Sequence, residues 1–147
     1  MIENFRPPTA SERVFNKLFG FLVGLGLGRP HNFLLEVRGR KTGRVYSTPV
    51  DVLTFDGRRY LVAPRGYTGW VQNALASATV ALKKGRRRED FRIRTLSARE
   101  KLAVLKAYLD RFKLAVQRYF PVRAGALESA FEPLVERYPA FELLPTR

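Results

Sequence analysis

A short basic loop carries the residues of this sequence best suited to binding a phosphate group. Two glycines let the backbone of Gly39 to Gly43 turn tightly and bring its N–H groups close to a ligand. Arg40 can hold two phosphate oxygens, Lys41 acts as a point charge, and Thr42 adds a hydroxyl. The glycine spacing before the lysine is not that of a Walker loop. The pattern predicts a phosphate cradle, and a solvated basic turn would explain it equally well.

Two later segments hold further polar and aromatic candidates. Ser47-Thr48-Pro49-Val50 offers hydroxyls and N–H groups beside a proline, which favours a sheet edge or barrel rim. Arg65 lies between a proline and a glycine, and Trp70 and Asn73 are three residues apart on one side of a predicted helix. Trp70 could stack on a planar ring or serve as a core anchor, the commoner role of a lone tryptophan. Asn73 could bond the polar edge of a ligand.

Composition limits the function classes that remain. The 147 residues fit one domain, and 46% hydrophobic residues suffice for an ordinary core. There is no cysteine, which excludes disulfides, thiolate metal sites and a cysteine nucleophile. The single histidine, His31, argues against a Ser-His-Asp triad and a multi-histidine metal site, so we expect no metal. The formal net charge of +14 would attract nucleic acid, an acidic membrane surface or a phosphorylated ligand.

Local patterns predict short strands in the middle of the chain and helices at both ends. Asp56-Gly57 is a strong hairpin signal, and Ser97 to Glu100 reads as a capping box. The predicted strands are Phe33 to Arg38, Ser47 to Phe55, Arg58 to Ala63, Thr79 to Lys83 and Arg88 to Thr95. The predicted helices are Ser11 to Leu27, Trp70 to Ser77, one opened by the capping box that extends to Val116, and Leu127 to Arg137, with Pro133 as a kink or boundary in the last.

These elements predict a mainly β fold of the α+β class. A meander of short antiparallel strands avoids exposed edges by closing, so we expect a small closed or split β-barrel. The chain would form a single domain over residues 1–147, with an N-terminal helix at about 11–27 and C-terminal helices at about 97–137.

The three chemical segments occur in the order found in the deazaflavin-dependent nitroreductase family, which this sequence resembles. The shared elements are a strand, the Gly39 to Gly43 loop, Thr48-Pro49-Val50, a hairpin, the turn Val62 to Gly66 and the helix Trp70-Val71-Gln72-Asn73. The match covers roughly residues 30 to 95, and the order of the motifs makes it specific. The stretch between Arg65 and Trp70 is shorter than in the best-known members, which leaves the substrate pocket undefined.

The resemblance implies a split β-barrel of the FMN-binding type that binds coenzyme F-420, a deazaflavin with a phosphate and an acidic oligoglutamate tail. By position, Arg40, Lys41 and Thr42 would contact the phosphate, and Arg44 would guide the tail. The remaining residues carried over by the match are Thr48, Pro49 and Val50 along the ring, Ala63, Pro64 and Arg65 flanking ring and phosphate, and Trp70 and Asn73 closing the site.

The implied reaction is hydride transfer from reduced F-420 to a small electrophilic acceptor such as a quinone, an enone or a nitroaromatic. The cofactor carries the chemistry, so the absence of a catalytic triad is no objection. Tyr46, Tyr67 or Tyr119 could donate the accompanying proton, and Tyr67 ranks first because it lies between Arg65 and Trp70. The alternatives are an enzyme of the same barrel that uses FMN and, less favoured, a basic nucleic-acid-binding module. We expect no nucleic-acid partner, because Phe91 and Ile93 alternate with arginines as a core face would.

Partners and location follow from charge and hydropathy. No secretory signal is convincing, and the apolar stretch from Val14 to Leu27 is shorter than the roughly 20 residues of a spanning helix. We therefore expect a cytoplasmic protein, with peripheral membrane contact through the N-terminal segment as an option. A homodimer is also compatible with the sequence. The densest basic cluster, Lys83 to Arg88, reads as a solvated hairpin tip or a contact for acidic lipid.

Overall fold

The computed structural model describes residues 29–146, which form one antiparallel sheet and two α-helices. The predicted N-terminal helix, Ser11 to Leu27, lies outside the described residues. The strands are β1 (Asn32–Arg38), β2 (Val45–Asp51), β3 (Leu53–Phe55), β4 (Arg58–Val62), β5 (Thr79–Lys84), β6 (Arg87–Thr95) and β7 (Ala140–Pro145). The helices are α1 (Gly69–Ser77) and α2 (Ala98–Val116), with 3-10 turns at Gln117–Tyr119 and Glu128–Leu134.

The sheet has the order β2-β1-β5-β6-β7-β4-β3, and one residue forces it to curl. Val52 alone joins β2, at one edge, to β3, at the other. Its N–H donates to the carbonyl of His31 at 2.9 Å, and its side chain is buried. The two edges must therefore approach each other, which is the closure that the meander predicted. The continuous strand predicted from Ser47 to Phe55 is divided at this residue.

The core has two parts on opposite faces of the sheet. The barrel core lies inside the curl and consists of Leu35, Val37, Val52, Leu61, Ala63, Val71, Ala74, Val80, Leu82, Phe91, Phe141 and Leu143. The helix core lies between the outer face and α2, and includes Tyr60, Val62, Leu105, Tyr108, Leu109 and Phe131. Strands β4 and β7 are covered on both faces, because their alternate side chains enter the two parts.

Local signals place the turns and the start of α2. Asp56 and Gly57 take φ values of 54° and 75°, as a tight hairpin between β3 and β4 requires. The Ser97 hydroxyl accepts from the N–H of Glu100, and the Glu100 carboxylate accepts from the N–H of Ser97. The capping box is thus confirmed, and α2 begins where it was predicted to begin.

The predicted helix from Leu127 to Arg137 is wrong. Residues Glu128–Leu134 form a 3-10 turn that contains Pro133, and a strand follows it. Proline supplies no N–H for an α-helical bond and its ring clashes with the preceding turn, so an α-helix is not sustained here. Strand β7 was not predicted, yet it joins β6 to β4 near the middle of the sheet.

Candidate cofactor site

The Gly39–Gly43 loop is the turn of the hairpin between β1 and β2. The N–H of Gly39 donates to the carbonyl of Arg44 at 2.6 Å, and the N–H of Gly43 donates to the carbonyl of Gly39 at 2.9 Å. Gly43 has a φ of +75°, which favours glycine. Arg38 closes the turn from outside, because its guanidinium donates to the Gly43 carbonyl at 2.7 Å. The loop is therefore a hydrogen-bonded turn rather than an irregular one.

Tyr46 packs against the inner edge of this loop. A Cβ added at Gly39 would lie 2.5 Å from Cε2 of Tyr46, so a larger residue at position 39 would displace the Tyr46 ring. The hydroxyls of Thr42 and Tyr46 are 3.3 Å apart, and Thr42 Oγ1 also accepts from the N–H of Arg44 at 3.2 Å. The sequence offered Tyr46 only as a proton donor. Its packing against Gly39 depends on the hairpin register, which no local pattern reveals.

Asn73 of α1 holds the loop from the other side. Its Oδ1 accepts from the backbone N–H of Arg40 at 3.1 Å and from Arg40 Nη1 at 2.7 Å. Asn73 is buried, whereas Arg40 and Lys41 are exposed. Among residues 29–146, no carboxylate forms a salt bridge with Arg40, Lys41 or Arg44. Arg40 and Lys41 thus have no acidic partner in the described part of the chain, and the buried Asn73 amide orients Arg40. Together they form a site that fits a phosphate.

The segments predicted to surround the ring meet at the border of the barrel core. Val50, Tyr67 and Trp70 are partly buried against it, and Ala63 belongs to it. The β1–β2 register pairs Leu35 with Thr48 and Phe33 with Val50, so these two β2 side chains share the inner face. Pro49 pairs with Leu34 on the opposite face. The Trp70 ring packs edge-on against Phe141, with ring centroids 6.1 Å apart.

The turn from Ala63 to Thr68 leads into α1. The N–H of Gly66, whose φ is +85°, donates to the carbonyl of Ala63 at 3.1 Å. Pro64 and Arg65 are partly exposed within this turn. Thr68 is the residue preceding α1, and its buried hydroxyl has no hydrogen-bond partner. A threonine before a predicted helix start is a recognisable cap signal, so the sequence could have singled it out.

The three tyrosines considered as proton donors are separated. Tyr67 lies at the barrel core, where its carbonyl accepts from the Gln72 side chain at 2.9 Å. Tyr119 packs instead against the helix core, and its carbonyl accepts from the Tyr138 hydroxyl. The structure therefore groups Tyr46 and Tyr67 with the candidate site and places Tyr119 under α2.

Solved structures similar to this chain share the split-barrel fold. One is of an F420-H2 dependent reductase, FDR-A, with 19% identity, a TM-score of 0.52, and coverage of 78% of this chain and 94% of that one. Another is a FAD-binding protein from Mesorhizobium loti, with 16% identity, a TM-score of 0.51, and coverage of 88% and 89%. A third is described as a domain-swapped dimer, with 19% identity, a TM-score of 0.56, and coverage of 90% and 92%.

No curated protein matches the chain. The profile of one family does match, from residue 11 to residue 121, which is most of the sequence and includes every segment of the candidate site. That family uses F420H2 as its reductant, so the predicted class of enzyme and its cofactor are confirmed. The split-barrel fold is likewise confirmed. The chain belongs to the F420H(2)-dependent quinone reductase family.

Proposed function

We propose that the protein reduces a small electrophilic acceptor with reduced F-420 held by the Gly39–Gly43 loop. The observation that carries the proposal is the contact between Arg40 and the buried Asn73, which orients a cation that has no acidic partner among residues 29–146. A quinone is the acceptor that the family name suggests, and an enone or a nitroaromatic are further candidates. The similar structure described as a domain-swapped dimer supports a homodimer as part of the proposal.

The positions of the side chains suggest which part of the cofactor each residue would contact. Arg40, Lys41 and Thr42 would hold the phosphate, and Arg44 would meet the acidic tail. The bound reduced deazaflavin supplies the hydride. Residues of β2, of the turn after β4 and of the start of α1 would orient and cover its ring, namely Thr48, Pro49, Val50, Ala63, Pro64, Arg65 and Trp70. In this assignment Asn73 acts through Arg40, since its oxygen already accepts both bonds from that residue.

Cofactor titration tests the assignment of the loop. We expect the Arg40→Ala/Lys41→Ala variant to raise the Kd for F-420 at least tenfold, because a hydrogen bond to a charged group contributes about 1.5–3 kcal/mol and 1.4 kcal/mol is tenfold. Arg92→Ala/Arg99→Ala is a matched control that removes the same charge from exposed positions outside the loop. An unchanged Kd in the loop variant would contradict the proposal, as would tighter binding of FMN or of a short oligonucleotide than of F-420.

Tyr67 Oη is the proposed proton donor, because Tyr67 borders the barrel core beside Trp70. We expect Tyr67→Phe to lower kcat by about a hundredfold, the lower end of general acid catalysis, with the Kd for F-420 unchanged. Tyr46→Phe is the comparison variant, since it removes the tyrosine hydroxyl that lies 3.3 Å from Thr42 of the loop. A larger loss of kcat in Tyr46→Phe than in Tyr67→Phe would transfer the role to Tyr46.

A further inference from the structure

Strand β2 lies at one edge of the sheet, and only alternate residues of it are bonded to β1. The Gly39 N–H donates to the Arg44 carbonyl at 2.6 Å, and the Val52 N–H donates to the His31 carbonyl at 2.9 Å. These two bonds flank the β1–β2 ladder and fix its alternation, because bonded pairs in an antiparallel ladder recur at every second residue. The residues of β2 that exchange both backbone bonds with β1 are therefore Tyr46, Thr48 and Val50.

The intervening residues of β2 point their backbone groups away from β1, namely Val45, Ser47, Pro49 and Asp51. Among residues 29–146, β2 pairs with no strand except β1, so these groups face no other strand. Pro49 agrees with this alternation, because proline has no N–H and is accepted in a sheet where the N–H would face away from the ladder. Ser47 is exposed and presents both its N–H and its carbonyl in the same outward direction.

The free edge of β2 borders a split in the barrel. Strand β3 pairs with β4 only from Leu53, which faces Tyr60, so the last residues of β4 have no partner on β3. On the other side of Val52 the chain pairs with β1 instead. The first three residues of β2 are exposed, whereas its last four, next to Val52, are partly buried. The split therefore opens from Val52 toward the Gly39–Gly43 loop.

The segments assigned to the cofactor ring lie on the two sides of this split. One side is β2, and the other is the turn that continues β4 from Ala63 and leads into α1. The four residues from Gly43 to Ser47 span about 13 Å at the rise of a β-strand. A cofactor whose phosphate is held by the loop would therefore place its polyol chain beside Val45 and its ring beside Ser47.

The pyrimidine edge of a deazaflavin carries a carbonyl oxygen next to an N–H. A facing β-strand would present the same two groups to Ser47, so the ring can take the place of a strand. We propose that Ser47 binds this edge of the ring through its backbone, its N–H donating to the ring carbonyl and its carbonyl accepting the ring N–H. The inference rests on the proposed function and adds a contact with the ring to the contacts with the phosphate.

Amide hydrogen exchange of the full chain, followed by NMR, tests the contact without any substitution. Without a cofactor, the Ser47 N–H should exchange rapidly, whereas the N–H groups of Thr48 and Val50 should exchange slowly because they are bonded to β1. Saturating F-420 should slow the exchange of the Ser47 N–H by about tenfold or more and leave that of Val45 unchanged. A phosphate-free deazaflavin, which keeps the ring and the polyol chain, should protect the same N–H.

Three substitutions in β2 test the contact by affinity. Ser47→Pro removes the donor but no bond to β1. It should raise the Kd for F-420 and for the phosphate-free deazaflavin about tenfold, because a ring carbonyl loses its donor. Ser47→Ala keeps the N–H and should bind both like the wild type, and Val45→Pro should leave the affinity for the phosphate-free deazaflavin unchanged. Arg40→Ala/Lys41→Ala should weaken binding of F-420 without affecting the phosphate-free deazaflavin.

The failure of this inference and the failure of the proposed function give different results. Unchanged exchange of the Ser47 N–H with F-420 bound would overturn the inference alone. So would a loss of affinity in Ser47→Ala or Val45→Pro as large as that in Ser47→Pro, measured with the phosphate-free deazaflavin. Binding of F-420 that does not depend on Arg40 and Lys41 would overturn the proposed function instead. Thermal midpoints show whether the variants are folded, and if Ser47→Pro is not, the exchange measurement on the wild type decides.

Discussion

Gly43→Ala and Gly57→Ala form a matched pair that separates the backbone of the candidate site from backbone strain in general. Both glycines have a φ of +75°, and an added Cβ at either position would meet nothing within 4 Å. An L-residue in this conformation costs about 1–2 kcal/mol. Loss of glycine's freedom in the unfolded chain returns about 0.4–1 kcal/mol. Each variant should therefore lower the free energy of unfolding by about 1 kcal/mol and the Tm by about 2–4 °C.

Of these two variants, only Gly43→Ala should raise the Kd for F-420. The carbonyl and N–H of Gly43 close the loop through Arg38 and Gly39, so a change in its φ disturbs the loop itself. Gly57 lies in the β3–β4 turn, apart from that loop. Calorimetry and F-420 titration of both variants measure the two effects, and Gly43→Asn, which tolerates the left-handed region, should be intermediate. Equal Kd values for the two alanine variants would refute the assignment of the loop as a phosphate cradle.

Other expected outcomes concern the loop packing, the capping box and the core. Gly39→Ala places a Cβ against Tyr46, so we expect it to lower the unfolding free energy by about 1 kcal/mol. Denaturant unfolding of the Gly39→Ala/Tyr46→Ala double variant should show that removing the Tyr46 ring relieves this loss. Glu100 has a pKa lowered to about 2, chiefly by Arg94, from a usual value of 4.5. The contribution of the Glu100 carboxylate to folding stability is present above pH 4.5 and is lost as the pH falls toward 2. The difference in Tm between the wild type and Glu100→Gln should therefore shrink across that interval. Phe131→Ala should lower the unfolding free energy by about 3–5 kcal/mol, measured with denaturant, while the Kd for F-420 below the transition is unchanged.

Elements with local signals could be predicted, and those that depend on long-range pairing could not. The Asp56-Gly57 hairpin and the Ser97 capping box each need only a few neighbouring residues, and both are present. Strand β7 contains Glu142 among apolar residues, which weakens its pattern. That carboxylate is buried because Arg94 of β6 bonds it at 2.9 and 3.0 Å. Arg94 thus compensates the buried charge of Glu142 although the two residues are 48 positions apart. No local pattern in the sequence reveals a pairing over that distance.

In the candidate site, too, the local feature could be predicted from the sequence and the long-range contact could not. The loop could be predicted from its residue types, but the contact of Asn73 with Arg40 could not, because 33 residues separate them and the helix must return across β1 to make it. The sequence placed Asn73 against the ligand. Its oxygen instead accepts both bonds from Arg40, so its effect on the cofactor should pass through that residue.

A double-mutant cycle tests this indirect role of Asn73. Asn73→Ala should raise the Kd for F-420 by about tenfold, since it releases a guanidinium whose hydrogen bond contributes about 1.5 kcal/mol or more. If Asn73 acts only by holding Arg40, the Arg40→Ala/Asn73→Ala variant should bind F-420 no more weakly than Arg40→Ala alone. Multiplicative losses would instead place the Asn73 amide directly on the cofactor. Gln72→Ala, which removes a neighbouring amide that bonds the Tyr67 carbonyl, is the control for removing an amide from α1.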